Sequence, residues 1–246
     1  MTQNSVSATP LAAAVRKVFR VLIAVDPQVD FCPGGSLAVA GGHEIMALIN
    51  RLAREGNYNL RVLSKDWHPA NHGSFAAQHA GKNPFEMGVL SGMAQVLWPV
   101  HCAQGTPGAE FHPDIDLSLF DSIILKGMNA DVDSYSALYD NGKAAVAALK
   151  AQYPFLGQST GLAEQIVAAA QAAGADEIEV DVVGLALDYC VGYTAKDAAA
   201  EKFNGSPWRV RVILDGCRAI GDVNAAVSDL LANGVGVVNS VGVFGQ

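Results

Sequence analysis

The sequence predicts an α/β protein of one domain, a mainly parallel sheet covered on both faces by helices. Three observations carry this. Short apolar, β-rich runs alternate with segments of helical period from Phe19 to Asn239, the pattern that right-handed strand–helix–strand crossovers produce. Of the 246 residues 50% are hydrophobic and only 16% are charged, which suits a well-filled core. No internal repeat, low-complexity tract or linker divides the chain.

Residues 1–18 lack a basic segment ahead of their short LAAAV run, so they do not read as a secretory signal and are expected to form a flexible arm before a domain over 19–246. Phe19 to Val25 (FRVLIAV) is a buried strand that stops at Asp26-Pro27. Gln28 to Ser36 is a loop, and His43 to Glu55 carries Ile45, Met46, Leu48, Ile49 and Leu52 at helical spacing. Arg61 to Ser64 is a second strand. From there to about Thr106 the chain reads as irregular, too long for an idle loop and too rich in Trp, Phe and His for disorder. Ser122 to Leu125 is a third strand, followed at once by Lys126-Gly127. Lys143 to Gly161 contains a helix-like AAVAALKAQY, and Leu162 to Ala173 is an amphipathic helix ended by Gly174. Glu177 to Gly184 is the central strand, running on to Cys190 and a helix that ends near Lys202. Arg209 to Leu214 is a strand, Asn224 to Asn233 a helix capped by Gly234, and Gly236 to Asn239 a last short strand.

The formal net charge of -8 argues against a nucleic-acid or anionic-membrane surface. Apolar stretches fall short of the roughly 18 residues a membrane span needs. Four scattered cysteines, Cys32, Cys102, Cys190 and Cys217, suit reduced thiols and a cytoplasmic setting. A small uncharged substrate fits this balance.

Several residues stand where chemistry is expected. Cys190 follows a buried strand and opens a helix, where free N–H groups and the dipole favour a thiolate and an oxyanion. An inert small hydrophobe is the alternative. Asp26 and Lys126 lie at the C-terminal ends of strands, the edge where open parallel sheets place their ligands. A turn or cap fits Asp26 as well as catalysis does, and a solvated strand end is the ordinary fate of a lysine. Asp66-x-His68 with His101 forms a mixed O,N,N set that suits Zn, Mn or Fe with open positions. His72 and His79 are spare imidazoles.

Taken together, DPQVDFCPGGSLAV at Asp26, KDWHPANHGSF at Lys65, WPVHCAQGTPGAEFH at Trp98, KGMNADVDSYS at Lys126 and GLALDYCVGYTAKDA at Gly184 resemble the nicotinamidase family of the isochorismatase-like cysteine hydrolase superfamily. The likeness spans Val21 to about Asn239. It implies a single-domain three-layer α/β/α sandwich with a six-stranded sheet in the order 3-2-1-4-5-6. It implies a catalytic Asp26, Lys126 and Cys190, a divalent ion (Zn foremost, Fe or Mn otherwise) held by Asp66, His68 and His101, and His72 as the nearest equivalent of a further histidine that some members use. Phe31, Trp98 and Tyr135 would wall the pyridine ring. A cis peptide would join Leu185 to Ala186 and aim the Ala186 and Cys190 N–H groups at the oxyanion.

The reaction so implied is hydrolysis of nicotinamide, and of pyrazinamide, through a cysteine thioester in NAD salvage, with no nucleic-acid or membrane partner. The Lys143 to Gly161 segment is longer than the family leads one to expect, which leaves room for a reshaped pocket mouth or a homo-oligomer contact. Two rivals stand beside this reading. A related amidase acting on another small amide would not need the metal set, and a metal-storage protein would use Cys190 structurally.

Overall fold

A computed structural model describes residues 16–244. The strands, in chain order, are β1 Val18–Val25, β2 Leu60–Asp66, the pair β3 Met87–Leu90 and β4 Met93–Val96, β5 Ser122–Lys126, β6 Glu177–Leu185, the short pair β7 Lys202–Phe203 and β8 Ser206–Pro207, β9 Arg209–Arg218 and β10 Gly236–Val238. The helices are α1 Met46–Glu55, α2 Ala147–Gln152, α3 Leu162–Ala172, α4 Gly192–Ala200 and α5 Val223–Ala232. Six strands form one parallel sheet in the order β5-β2-β1-β6-β9-β10, which is 3-2-1-4-5-6 counted along the chain.

A central strand between two helical layers must be apolar on both sides, and VLIAV at the end of β1 is fully buried. Its alternate residues feed two cores. Val21, Ile23 and Val25 pack with Leu162 and Ile166 of α3 and Ala195 of α4, whereas Leu22 and Ala24 pack with Ile49, Leu52 and Ala53 of α1. Successive crossovers leave in opposite directions from β1 and β6, so a crevice opens between their C-terminal ends. There Gly184, at φ +122°, brings β6 hard against Val25 of β1.

Differences from the sequence reading have local causes. Lys17 and Val18, expected in the arm over 1–18, are tied to the domain, for Lys17 N–H donates to Asp176 Oδ2 at 2.8 Å and Val18 pairs with Glu177; residues 1–15 lie outside the described residues. The hairpin β3/β4 occupies part of the stretch read as irregular. Apart from Gln95 its residues are exposed or half-buried, Met87 and Val89 included, and its two four-residue runs, MGVL and MAQV, show no regular apolar–polar alternation in sequence. Strand β9 continues past Leu214 to Arg218, across Asp215-Gly216, by a register shift opposite Val182 and Gly184. Among the described residues no helix is long and apolar enough to cross a membrane.

Candidate active site

Asp26, Asp66, Lys126 and Cys190 meet in the crevice because each sits at or just past the end of a different strand: β1, β2, β5 and β6. Lys126 is the hub. Its Nζ lies 2.9 Å from Asp26 Oδ2, donates to Asp66 Oδ1 at 2.7 Å and to the Ser134 carbonyl at 2.8 Å, and stands 3.5 Å from Cys190 Sγ. The contact to Asp26 is an ion pair without hydrogen-bond alignment. Ser64 Oγ–H instead donates to Asp26 Oδ1 at 2.7 Å and fixes that carboxylate. Gln28 does the same for the backbone of Asp66: its Oε1 accepts from Asp66 N–H and its Nε2 donates to Asp66 C=O, both at 2.8 Å. A side chain thus completes the ladder where β1 has turned away at Asp26, whose φ is +46°.

These groups are all buried, and burial sets their protonation. It pushes the Asp26 carboxyl up to about 6, against the pull of Lys126. Burial also drives the Cys190 thiol well above its ordinary value, and the nearby ammonium offsets this only in part. The expected depression at a helix start is therefore overturned. Cys190 belongs to a π-helical turn, Leu187–Val191, that precedes α4. The Asp66 carboxyl resists burial and is held below the usual carboxylate range by Lys126 and the two histidines, and the acids in turn raise Lys126 despite its burial.

On the other side of Asp66 stand His68 and His101. Their Nδ1 atoms are tied to the carbonyls of Gly127 at 2.9 Å and Pro99 at 2.8 Å. That arrangement leaves each Nε2 facing Asp66 Oδ2, at 3.6 and 4.0 Å. The ligand atoms of the three residues lie within 4.8 Å of one another, and all three are buried. Two oriented imidazoles and one carboxylate fit a divalent ion, with backbone carbonyls fixing the tautomers. His72 sits behind His68, ring centroids 4.2 Å apart, and its Nδ1 is taken up by the hydroxyl and N–H of Ser74.

Beside these groups opens a narrow cleft lined by Phe31, Trp98, Tyr135 and Ala186 together with Asp66, His101 and Cys190. Trp98 Nε1–H donates to Tyr135 Oη at 3.1 Å. The Leu185–Ala186 peptide is cis, as expected. The Ala186 carbonyl accepts from Tyr189 and Val191, the second bond passing over Cys190. The sequence reading missed Leu37, Asp133, Tyr189 and Ile220, which also line the cleft. Asp133 and Tyr189 adjoin selected motif residues, and that adjacency was a usable signal. Leu37 likewise lies inside the motif that begins at Asp26, whereas Ile220 arrives by tertiary packing alone.

No family model matches the chain. A nicotinamidase of Acinetobacter baylyi is 40% identical over 222 residues, which is 89% of this chain and 92% of that protein. The structure of the yeast nicotinamidase bound to the inhibitor nicotinaldehyde superimposes with a TM-score of 0.75 at 29% identity, covering 90% of this chain and 100% of the other. A pyrazinamidase of Pyrococcus horikoshii in complex with zinc gives 0.62 at 29% identity, covering 89% and 98%. On this evidence of sequence and fold, spanning nearly the whole of both partners in each comparison, the chain belongs to the nicotinamidase family.

Proposed function

We propose that this chain hydrolyses nicotinamide, and pyrazinamide, to the acid and ammonia through a thioester on Cys190, returning nicotinamide to pyridine-nucleotide synthesis. The observation that carries the reading is the buried ammonium of Lys126 set among Asp26, Asp66 and Cys190, the last two of which line an aromatic cleft. An amide is a weak electrophile with a poor leaving group, so the site needs a nucleophile, a proton shuttle and an oxyanion site.

At rest the proton sits on sulfur, because burial raises the thiol above its ordinary value while the Asp26 carboxyl stays near 6. Asp26 accepts that proton as Sγ attacks the carboxamide carbon, and Lys126 favours the charge developing on sulfur. The oxyanion forms opposite the Ala186 and Cys190 N–H groups. Asp26 then gives the proton to the departing nitrogen, ammonia leaves, and the acyl group remains on sulfur. Water attacks the thioester, Asp26 takes one of its protons, and the acid is released with the thiol restored. Phe31, Trp98 and Tyr135 sandwich the ring and keep bulk water from it.

Asp66, His68 and His101 would hold a divalent ion, zinc being the best match to one oxygen and two nitrogens. When bound, it supplies a Lewis acid for the ring nitrogen, which orients the carboxamide toward Cys190. The test is ammonia release from nicotinamide by the wild-type chain and by Cys190→Ala. Release by wild type alone supports the reading; release by both removes Cys190 from it, and release by neither removes the activity.

A further inference from the structure

The chemistry above makes no use of the segment that follows Asp140, which contains most of the Lys143 to Gly161 stretch, yet that segment is tied to the cleft from two sides. At its neck, Asp140 Oδ1 accepts from the N–H groups of Gly142 and Gly157, both at 2.7 Å, and its Oδ2 accepts from Gln158 N–H at 2.8 Å. One carboxylate therefore closes both ends of the loop. Beside it, Asn141 N–H donates to the Asp133 carbonyl at 2.8 Å, and Asn141 Oδ1 accepts from Tyr135 N–H at 3.0 Å. The neck thus grips the backbone of the two residues that face the cleft on either side of Ser134.

The second tie runs through the hairpin. Leu149 of α2 covers Gly92 at the hairpin turn so closely that a Cβ on Gly92 would lie 2.6 Å from Leu149 Cδ1. On β4 of the same hairpin, the buried Gln95 carboxamide Nε2 donates toward Asp133 Oδ2 at 2.8 Å and Tyr135 Oη at 3.0 Å. Asp133 and Tyr135 are consequently held by their backbones from the neck and by their side chains from the hairpin on which the helix rests. Two routes from one segment converge on the same pair.

We propose that residues 141–158 act as a positioning element for the substrate wall, fixing Asp133 and Tyr135 and so setting how tightly the ring is held, without altering the reactivity of Cys190. The inference rests on the reading that the cleft takes nicotinamide. Asn141→Ala strands a Tyr135 N–H and removes one clamp, so KM for nicotinamide rises about tenfold while kcat stays within about twofold. Asn141→Asp keeps the acceptor and returns KM to within about threefold of wild type. Leu149→Ala, on a helix with no buried residue, raises KM about threefold. Amide exchange at Tyr135 quickens in both Ala variants, and alkylation of Cys190 by iodoacetamide keeps its wild-type rate. Unchanged KM in both Ala variants, a fall in kcat at constant KM, or slowed alkylation overturns the proposal. Should Asn141→Ala not fold, Leu149→Ala decides alone. Should the wild-type chain not hydrolyse nicotinamide, it is the catalytic reading that fails, and exchange at Tyr135 still decides this one.

Discussion

Two clusters of buried charge lie along the same sheet and behave oppositely. Toward the N-terminal end of the strands, Asp181 is fully buried, yet both of its oxygens are saturated: Arg211 Nε donates to Oδ1 at 2.7 Å, and Arg211 Nη2 and the Tyr58 hydroxyl donate to Oδ2 at 2.8 and 2.7 Å. At the C-terminal end, Asp26 and Asp66 share one ammonium with a thiol, and Asp26 Oδ2 has no aligned donor. The first is a bidentate, satisfied pair of the kind that orders a core. In the second, acids outnumber bases, which leaves an acceptor ready for a proton and a face of Asp66 ready for a cation. The materials are alike. Saturation makes one a fastening, and its absence makes the other a reagent.

That contrast can be broken by substitution. Cys190→Ala should lower nicotinamide turnover by at least about 10⁴-fold and leave the urea midpoint where it was, because the thiol is part of the reagent and not of the fastening. A shifted midpoint or residual turnover would blur the distinction. Asp181→Asn should do the reverse: about 1–3 kcal/mol of stability lost, since Arg211 loses its bidentate carboxylate and keeps Glu179 as an ionic partner, with kcat per folded molecule unchanged. Urea unfolding alongside initial rates on the same sample reads both at once.

Removing metal with a chelator should cost nicotinamide turnover about 10²-fold, the scale of a misplaced substrate. Benzamide, which has the carboxamide without the ring nitrogen, should lose far less. Equal losses for the two amides would mean that the ion activates water instead of orienting the ring. The smallest effect concerns pH. Asp26 accepts a proton only as carboxylate, and with its pKa near 6 the active fraction falls as pH drops, so kcat/KM at pH 5 should be about a tenth of its neutral plateau. An acid limb centred near 4 would place Asp26 in a far wetter setting than the structure gives it.

The strands of the main sheet and the residues at their ends were legible because their signals are local: an apolar run, then a polar residue at its C-terminal end. Asp26, Lys126 and Cys190 are all of that kind. The hairpin of Met87–Leu90 and Met93–Val96 was not, since its two runs of four are short, apolar almost throughout and without polar alternation, although Met87 and Val89 face solvent. Gln95 and Ser64 escaped for a different reason, as each matters only through a partner 38 to 40 residues away. The state of the Cys190 thiol was misjudged because a helix start is visible in sequence and the burial that outweighs it is not.

The close approach at Gly184 has a consequence for how such a chain can change over generations. A Cβ at this position would fall 2.1 Å from the Val25 carbonyl oxygen, on a backbone at φ +122° that other residues avoid. Even alanine would wedge apart the ends of the two strands that carry Asp26 and Cys190. The separation of base and nucleophile is thus guarded by a hydrogen atom in place of a methyl group, at a residue that takes no part in the reaction. Gly184→Ala should accordingly yield chains that keep the sheet and lose the rate, so descent with activity confines this position more tightly than folding alone would.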